Sequence, residues 1–306
     1  MSHVQVKGDQ VTDQELMEAL RALMEARNWG QRRVADLLGV SQATLSQWLG
    51  GKYLAADAMN RRVAEFLHER AEAGEGVVAA EGFNLIQEIC GQCQEDSKFA
   101  VVQGNPGVGK TKALQLYAQE HDEVIYLRAD VTTNLKVMLE ELVGAEGGGL
   151  TNAQLMREAK GKLKGKLIIV DESDLLPVRC LEALRAVWGD GGWCGLVLAG
   201  TPKIERLLRR GPHATDNLAQ LYSRVDFNVC ITNPTPVDME QYLDKSGVND
   251  AEARRLITTA GNKESFRAAA KLLSQAQRVA RLNGQPGVSA QAVRAASKLI
   301  MRSHAA

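Results

Sequence analysis

The residues best placed to do chemistry run from Gly104 to Thr111, spelled Gly-Asn-Pro-Gly-Val-Gly-Lys-Thr. Gly104, Gly107 and Gly109, with Asn105, Pro106 and Val108 between them, let the backbone curl so that its N–H groups converge on an anion. Lys110 reaches outer phosphates, and the Thr111 hydroxyl is of a kind that ligates Mg2+. The context agrees. The apolar run Phe99 to Gln103 precedes the loop as a strand, and a helical pattern from Thr111 to Gln119 follows it. The N-terminus of that helix adds partial positive charge. ATP and Mg2+ are the expected cofactors.

About sixty residues further on, Leu167-Ile168-Ile169-Val170 ends in Asp171 and Glu172. A carboxylate at the C-terminal end of a buried strand can hold Mg2+, usually through water, and the next can polarise an attacking water. Asp171 is the expected Mg2+ residue and Glu172 the expected general base.

A parallel sheet must position these groups. Strands are expected at Phe99 to Gln103, Glu123 to Arg128, Leu167 to Asp171, Gly195 to Ala199 and Phe227 to Ile231. Their apolar continuity suits burial on both faces. Helices are expected to start near Lys110, Leu135, Asn152 and Val178, with Gly147-Gly148-Gly149 as a flexible break. On either side of this α/β region, expected at 76–232, the pattern is helical: a domain at 1–75, a linker from Ala71 to Gly82, and a helical lid at 233–306 after Asn233-Pro234-Thr235-Pro236.

The N-terminal part carries a helix-turn-helix pattern. Val34, Ala35, Leu37 and Leu38 form one apolar face, Gly39-Val40 a tight turn, and Ser41 a cap for a second helix that buries Leu45, Trp48 and Leu49. Flanking helices are expected from about Asp13 to Arg27 and Asp57 to Arg70. The second helix would present Gln42, Ala43, Thr44, Ser46 and Gln47 to base edges, with Lys52 at a phosphate. Up to Glu75 there are eleven acids against nine bases, which argues against tight DNA binding by this domain alone. A bundle for protein contacts is the alternative.

The chain has 306 residues and a formal net charge of +0. That balance conceals an asymmetry: from Arg254 onward there are ten Lys or Arg and one acid, Glu264. A basic helical segment suggests an anionic partner, nucleic acid first, or a face packed on acidic neighbours. Further basic groups are Lys160, Lys162, Lys164 and Lys166, and Arg206, Arg209 and Arg210, of which Arg209 and Arg210 are favoured for DNA. No apolar run has the length of a membrane span and there is no signal-like start, so the expected compartment is the cytoplasm, on DNA. The five Cys show no regular framework, and Cys90-Gly91-Gln92-Cys93 reads as helix packing, not as a redox or zinc site.

The two nucleotide motifs, with Gly195-Leu196-Val197-Leu198-Ala199-Gly200 and Leu221-Tyr222-Ser223-Arg224, resemble the AAA+ ATPases. Over nearly its whole length the chain looks most like the Mu-like phage DNA transposition protein B family, whose members select target DNA. The helix-turn-helix resembles those of repressors. The resemblance implies an AAA+ P-loop α/β fold with an N-terminal helix-turn-helix and an all-helical lid. It further implies sensor 1 at Thr201 (where relatives often carry Asn), an arginine finger at Arg224 that acts on a neighbouring subunit's ATP, and sensor 2 at Arg267. A salt bridge to Asp226 or a DNA contact is the alternative for Arg224, and a basic surface residue for Arg267. The implied partners are double-stranded DNA, further copies of the chain in an oligomer or helical filament, and a transposase. The rival readings are an AAA+ helicase loader or DNA-remodelling motor, an ATP-switched transcription regulator, and a protein-remodelling ATPase.

Overall fold

The computed structural model describes residues 12–26, 29–53, 55–74, 80–145, 149–189, 193–210 and 218–302. The chain divides into two compact units, Met1–Val77 and Val78–Ala306.

The first unit is helical: α1 (Asp13–Ala26), α2 (Gln31–Leu37), α3 (Gln42–Leu49) and α4 (Ala56–Gly74). The Ser41 side chain accepts the Thr44 N–H at 3.1 Å, as expected of a cap, a contact of about 1 kcal/mol. Leu45, Trp48 and Leu49 are buried with Leu20, Val34 and Val63. The Trp48 indole N–H finds a partner in Asn60 (2.8 Å), which in turn donates to Asp13 (2.6 Å), so one polar chain ties α3, α4 and α1 together. Two expectations change. Leu37 is 41% exposed and does not join the apolar face. The helix α4 runs through Ala71 to Gly74, so these four residues, expected as linker, are helical; Ala71, Glu72 and Ala73 are good helix formers.

The second unit begins with α5 (Glu81–Asp96), whose first residues also fall inside the expected linker. There follow β1 (Phe99–Gly104), α6 (Lys110–Glu120), β2 (Val124–Arg128), α7 (Leu135–Val143), α8 (Asn152–Lys162) and β3 (Leu167–Asp171). After a 3-10 turn (Ser173–Leu175) come α9 (Val178–Trp188), β4 (Gly195–Gly200), α10 (Lys203–Arg210), α11 (Ala219–Tyr222) and β5 (Phe227–Ile231). The helices α12 (Pro236–Lys245), α13 (Ala251–Lys263), α14 (Phe266–Leu282) and α15 (Ala290–Arg302) complete it.

The five strands form one parallel sheet in the order β2-β3-β4-β1-β5. β1, β3 and β4 are buried throughout, and β2 and β5 are the half-exposed edges. Alternate residues serve two cores, as the period of two requires. Ala100, Val102, Ile169 and Val197 pack on α5 and α6, while Val101, Ile168, Val170 and Leu198 pack on α7 to α10. Helices α12 to α15 share their own core, built on Met239, Leu243, Ile257, Leu273 and Val293. Met239 lies so close to Gly261 that an added methyl would come within 2.5 Å of its sulfur, which fixes the crossing of α12 and α13.

A candidate nucleotide site at the C-terminal edge of the sheet

Because the sheet is parallel, the C-terminal ends of β1, β4 and β3 lie side by side. Gln103 pairs with Gly200, and Val170 pairs with Leu198. Strand spacing of about 4.8 Å therefore sets Gly104 and Asp171 roughly 10 Å apart, with β4 between them.

The loop from Gly104 to Gly109 has the backbone its glycines permit. Gly107 and Gly109 have φ of +87° and +106°, and Gly109 caps α6. Lys110 is only 8% exposed, and its Nζ donates to the Gly104 carbonyl (2.7 Å) and the Asn105 carbonyl (3.1 Å). Burial pulls its pKa below the ordinary lysine value, against the opposing pull of Asp171, Glu172 and Asp174. An anion seated in the loop would relieve that cost. Thr111 is half-buried in the first turn of α6.

Asp171 is 1% exposed. Its Oδ2 accepts the Tyr126 hydroxyl at 3.1 Å, and its Oδ1 accepts the Glu172 N–H at 2.9 Å. Burial, then the Asp171 carboxylate, pushes the Tyr126 phenol up, so Tyr126 remains a donor. Glu172 has a left-handed backbone (φ 53°), and its carboxylate lies 3.7 Å from Arg128 at the end of β2. Thr201, just past β4, donates its hydroxyl to Asp174 Oδ2 (2.8 Å) and its N–H to Oδ1 (3.0 Å). Asp174 was not expected from the sequence. The signal was present, since it lies two residues past Glu172 in Asp-Glu-Ser-Asp, but only the adjacency of β4 makes it a partner.

Arg267 reaches the site through its backbone: its N–H donates to the Gly107 carbonyl at 3.2 Å. A Cβ on Gly107 would fall 2.8 Å from Arg267 Cβ and 2.8 Å from Ser265 Oγ. The α13–α14 junction is thus packed on the phosphate loop, and the Arg267 side chain is exposed beside it. Arg224 lies apart from these groups in sequence and is half-buried in the turn after α11. Its alternative partner Asp226 accepts the Phe99 N–H (2.9 Å) and pairs with Lys98 (3.5 Å).

The DNA candidates fall in several places. Gln42, Ala43, Ser46, Gln47 and Lys52 are exposed, whereas Thr44 is half-buried with its hydroxyl 2.8 Å from that of Ser41. Lys160, Lys162, Lys164 and Lys166 precede β3 and so lie at the opposite end of the sheet from the phosphate loop. Lys162 pairs with Glu158 (3.2 Å) and Lys166 with Glu123 (2.6 Å). Arg206 is exposed. Arg209 is exposed too, but pairs with Glu205 (2.8 Å) and lies over the Tyr222 ring. Arg210 ends α10, and its side chain falls outside the described residues, as do Gly147, Gly148, Gly211 and Pro212. The five cysteines are free. Cys90 and Cys93 are buried inside α5, so that pair is packing, as expected.

Comparison with known proteins decides the family. The DNA transposition protein B of the Mu-like prophage FluMu from Haemophilus influenzae is 30% identical over 241 residues, 74% of this chain and 84% of that protein. The chain belongs to the Mu-like phage DNA transposition protein B family. The ATP-dependent target DNA activator B of Escherichia phage Mu is 26% identical over 283 residues, 87% of this chain and 88% of that one. An AAA domain model matches residues 93–208, and a helix-turn-helix domain model matches residues 15–73. The Aeropyrum pernix ORC2 protein shares the fold at 16% identity, with a TM-score of 0.52 over 71% of this chain and 67% of that one. So does the Thermotoga maritima RuvB Holliday junction branch migration motor, at 14% identity with a TM-score of 0.51 over 72% and 70%. The B-family chain thus carries an α/β AAA+ ATPase domain that binds and hydrolyses ATP, preceded by a helix-turn-helix and followed by a helical segment. Among the described residues no helix is long and apolar enough to cross a membrane.

Proposed function

We propose that this protein binds target DNA under the control of ATP during phage DNA transposition. ATP-bound copies assemble on duplex DNA as an AAA+ oligomer or helical filament, hydrolysis loosens the assembly, and the bound DNA is delivered to a transposase. Its place of action is the host cytoplasm, on DNA. The observation that carries this reading is the joint between Arg267 and Gly107, because it roots a basic helix directly on the phosphate loop. Lys271, Arg278 and Arg281 are exposed at helical spacing on one face of α14, a stripe suited to DNA phosphates. The phage Mu relative is itself an ATP-dependent target DNA activator. The exposed face of α3 is the second candidate for DNA, and Arg209 and Arg210 a third.

At the nucleotide site the residues suit ATP and Mg2+. Lys110 exchanges its two carbonyl contacts for phosphate oxygens, and the loop N–H groups hold the rest of the triphosphate. Thr111 and Asp171 would hold Mg2+, with Asp171 oriented by Tyr126. When bound, Mg2+ neutralises charge on the phosphates. Glu172 polarises the attacking water once it leaves Arg128, and Thr201, anchored by Asp174, orients that water. Arg267 senses the γ-phosphate from the lid side. Arg224 completes the site of a neighbouring copy, where an arginine stabilises the charge of the transferring phosphoryl group.

Electron microscopy of the protein with duplex DNA and a non-hydrolysable ATP analogue tests the assembly. Open helical filaments on DNA are expected. Closed rings that translocate would favour a loader or motor instead, and site-specific footprints without polymerisation would favour a transcription regulator.

A further inference from the structure

Glu205, on α10, makes none of the contacts described above for the nucleotide, yet its carboxylate is held from four elements. It accepts from Gln103 Nε2 on β1 (2.9 Å), Arg209 Nε on its own helix (2.9 Å), Asn228 Nδ2 on β5 (3.1 Å) and the Tyr222 hydroxyl on α11 (3.2 Å). Gln103 also donates to Asn228 Oδ1 at 3.0 Å, and the Arg209 guanidinium lies 4.7 Å from the centre of the Tyr222 ring. The Glu205 side chain is 25% exposed. Its hydrogen bonds, that from Gln103 first, hold its carboxyl below the ordinary glutamate range. The cluster is therefore a charged acceptor with its donors in place, of the kind that fixes geometry.

Two of these donors have neighbours in the ATPase machinery. Gln103 immediately precedes Gly104, the first residue of the phosphate loop. Tyr222 lies two residues before Arg224, on the short helix that leads into its turn. The Gly104 carbonyl also accepts from Lys110 Nζ. A phosphate that drew Lys110 away from that carbonyl would act on Gly104 and, next to it, on Gln103. We propose that Glu205 is a positioning residue through which a subunit's own phosphate loop sets the pose of the Arg224 that it offers to the next subunit. This rests on the reading that Arg224 acts between subunits. The competing account is a staple that merely holds α10, β1 and β5 together, and it predicts the same damage wherever Glu205 is changed.

Mixed assemblies separate the two. Glu172→Gln copies hold ATP, cannot polarise the water and still supply Arg224. Arg224→Ala copies hold ATP with Glu172 intact but lack the arginine. Each alone should be nearly inactive with duplex DNA, and a mixture should regain ATPase activity at the Arg224→Ala sites. Adding Glu205→Gln to the Glu172→Gln copies should lower the regained kcat about 10–100-fold, the scale of a small misplacement, with KM for ATP unchanged. Adding it to the Arg224→Ala copies should leave the regained rate within about twofold, since those copies contribute no arginine. Tyr222→Phe, which deletes one hydroxyl, should repeat the asymmetry even if Glu205→Gln weakens folding. Equal loss in both placements, or no loss in either, overturns the relay while leaving Arg224 as an arginine that acts between subunits. Failure of the parent mixture to regain activity removes the inter-subunit reading, and the relay with it.

Discussion

The backbone N–H of Arg267 donates to the carbonyl of Gly107, so the first turn of α14 sits on the phosphate loop itself. Gly107 is glycine for two reasons at once. Its φ of +87° disfavours any side chain, and a Cβ there would press on Arg267 and Ser265. The loop and the first turn of α14 are therefore joined at one residue.

Gly107→Ala should pay about 1–2 kcal/mol for the left-handed backbone and must also push α14 away from the loop. ATP affinity, titrated with a fluorescent analogue, should fall about tenfold or more. Unchanged affinity would mean that the packing of α14 on the loop has no part in nucleotide binding.

Lys110→Ala and Glu172→Gln should separate binding from hydrolysis. The first loses nucleotide affinity, and the second keeps it while kcat drops by about 100-fold or more. For the free protein, burial lowers the pKa of Lys110 from the ordinary 10.5, so its charge is lost at a lower pH than that of an exposed lysine. ATP affinity should consequently begin to fall on the alkaline side below pH 10.5. An affinity that is flat up to that pH in the intact protein would contradict the role given to the Lys110 ammonium.

Thr201 and Asp174 should behave as a pair. Thr201→Val removes the hydroxyl that Asp174 accepts and leaves a half-buried carboxylate short of a donor, a change of about 1–3 kcal/mol. Steady-state kinetics should show a lower kcat for Thr201→Val and recovery in Thr201→Ser. If Thr201→Ser is as impaired as Thr201→Val, the hydroxyl is not what matters.

Burial raises the Cys90 and Cys194 thiols, the latter to about 12, and burial together with the charge of Asp226 raises Cys93 to about 12. Little thiolate forms there at neutral pH, whereas Cys230 is exposed on an edge strand. Mass spectrometry after brief alkylation of the native protein should find label at Cys230 first and at all five Cys only after unfolding. Early labelling of Cys90 or Cys93 would revive a redox reading of that pair.

Much of this was legible in the sequence because it is local. The phosphate loop, the Asp171–Glu172 strand end and the Ser41 cap are carried by short runs whose physics is self-contained. The five strands lie within a residue of their expected bounds because buried apolar runs flanked by turns have few alternatives. The strand order could not be read, since it depends on pairing between distant segments. Asp174, Tyr126 and Glu205 are hidden for the same reason: the bonds that tie them to other elements span 17 to 102 residues. Arg209 reads as a free basic residue in the sequence, yet its guanidinium is shared between Glu205 and Tyr222.

In the proposed function the grip on DNA depends on ATP, and hydrolysis is completed between subunits. This is tested most directly by the ATPase rate with and without duplex DNA, for the intact protein and for Arg224→Ala. The rate should rise on adding duplex in the intact protein and stay low in Arg224→Ala, an arginine of this kind being worth about 10³–10⁵ in kcat. A rate indifferent to DNA, or an Arg224→Ala protein as active as its parent, would contradict it.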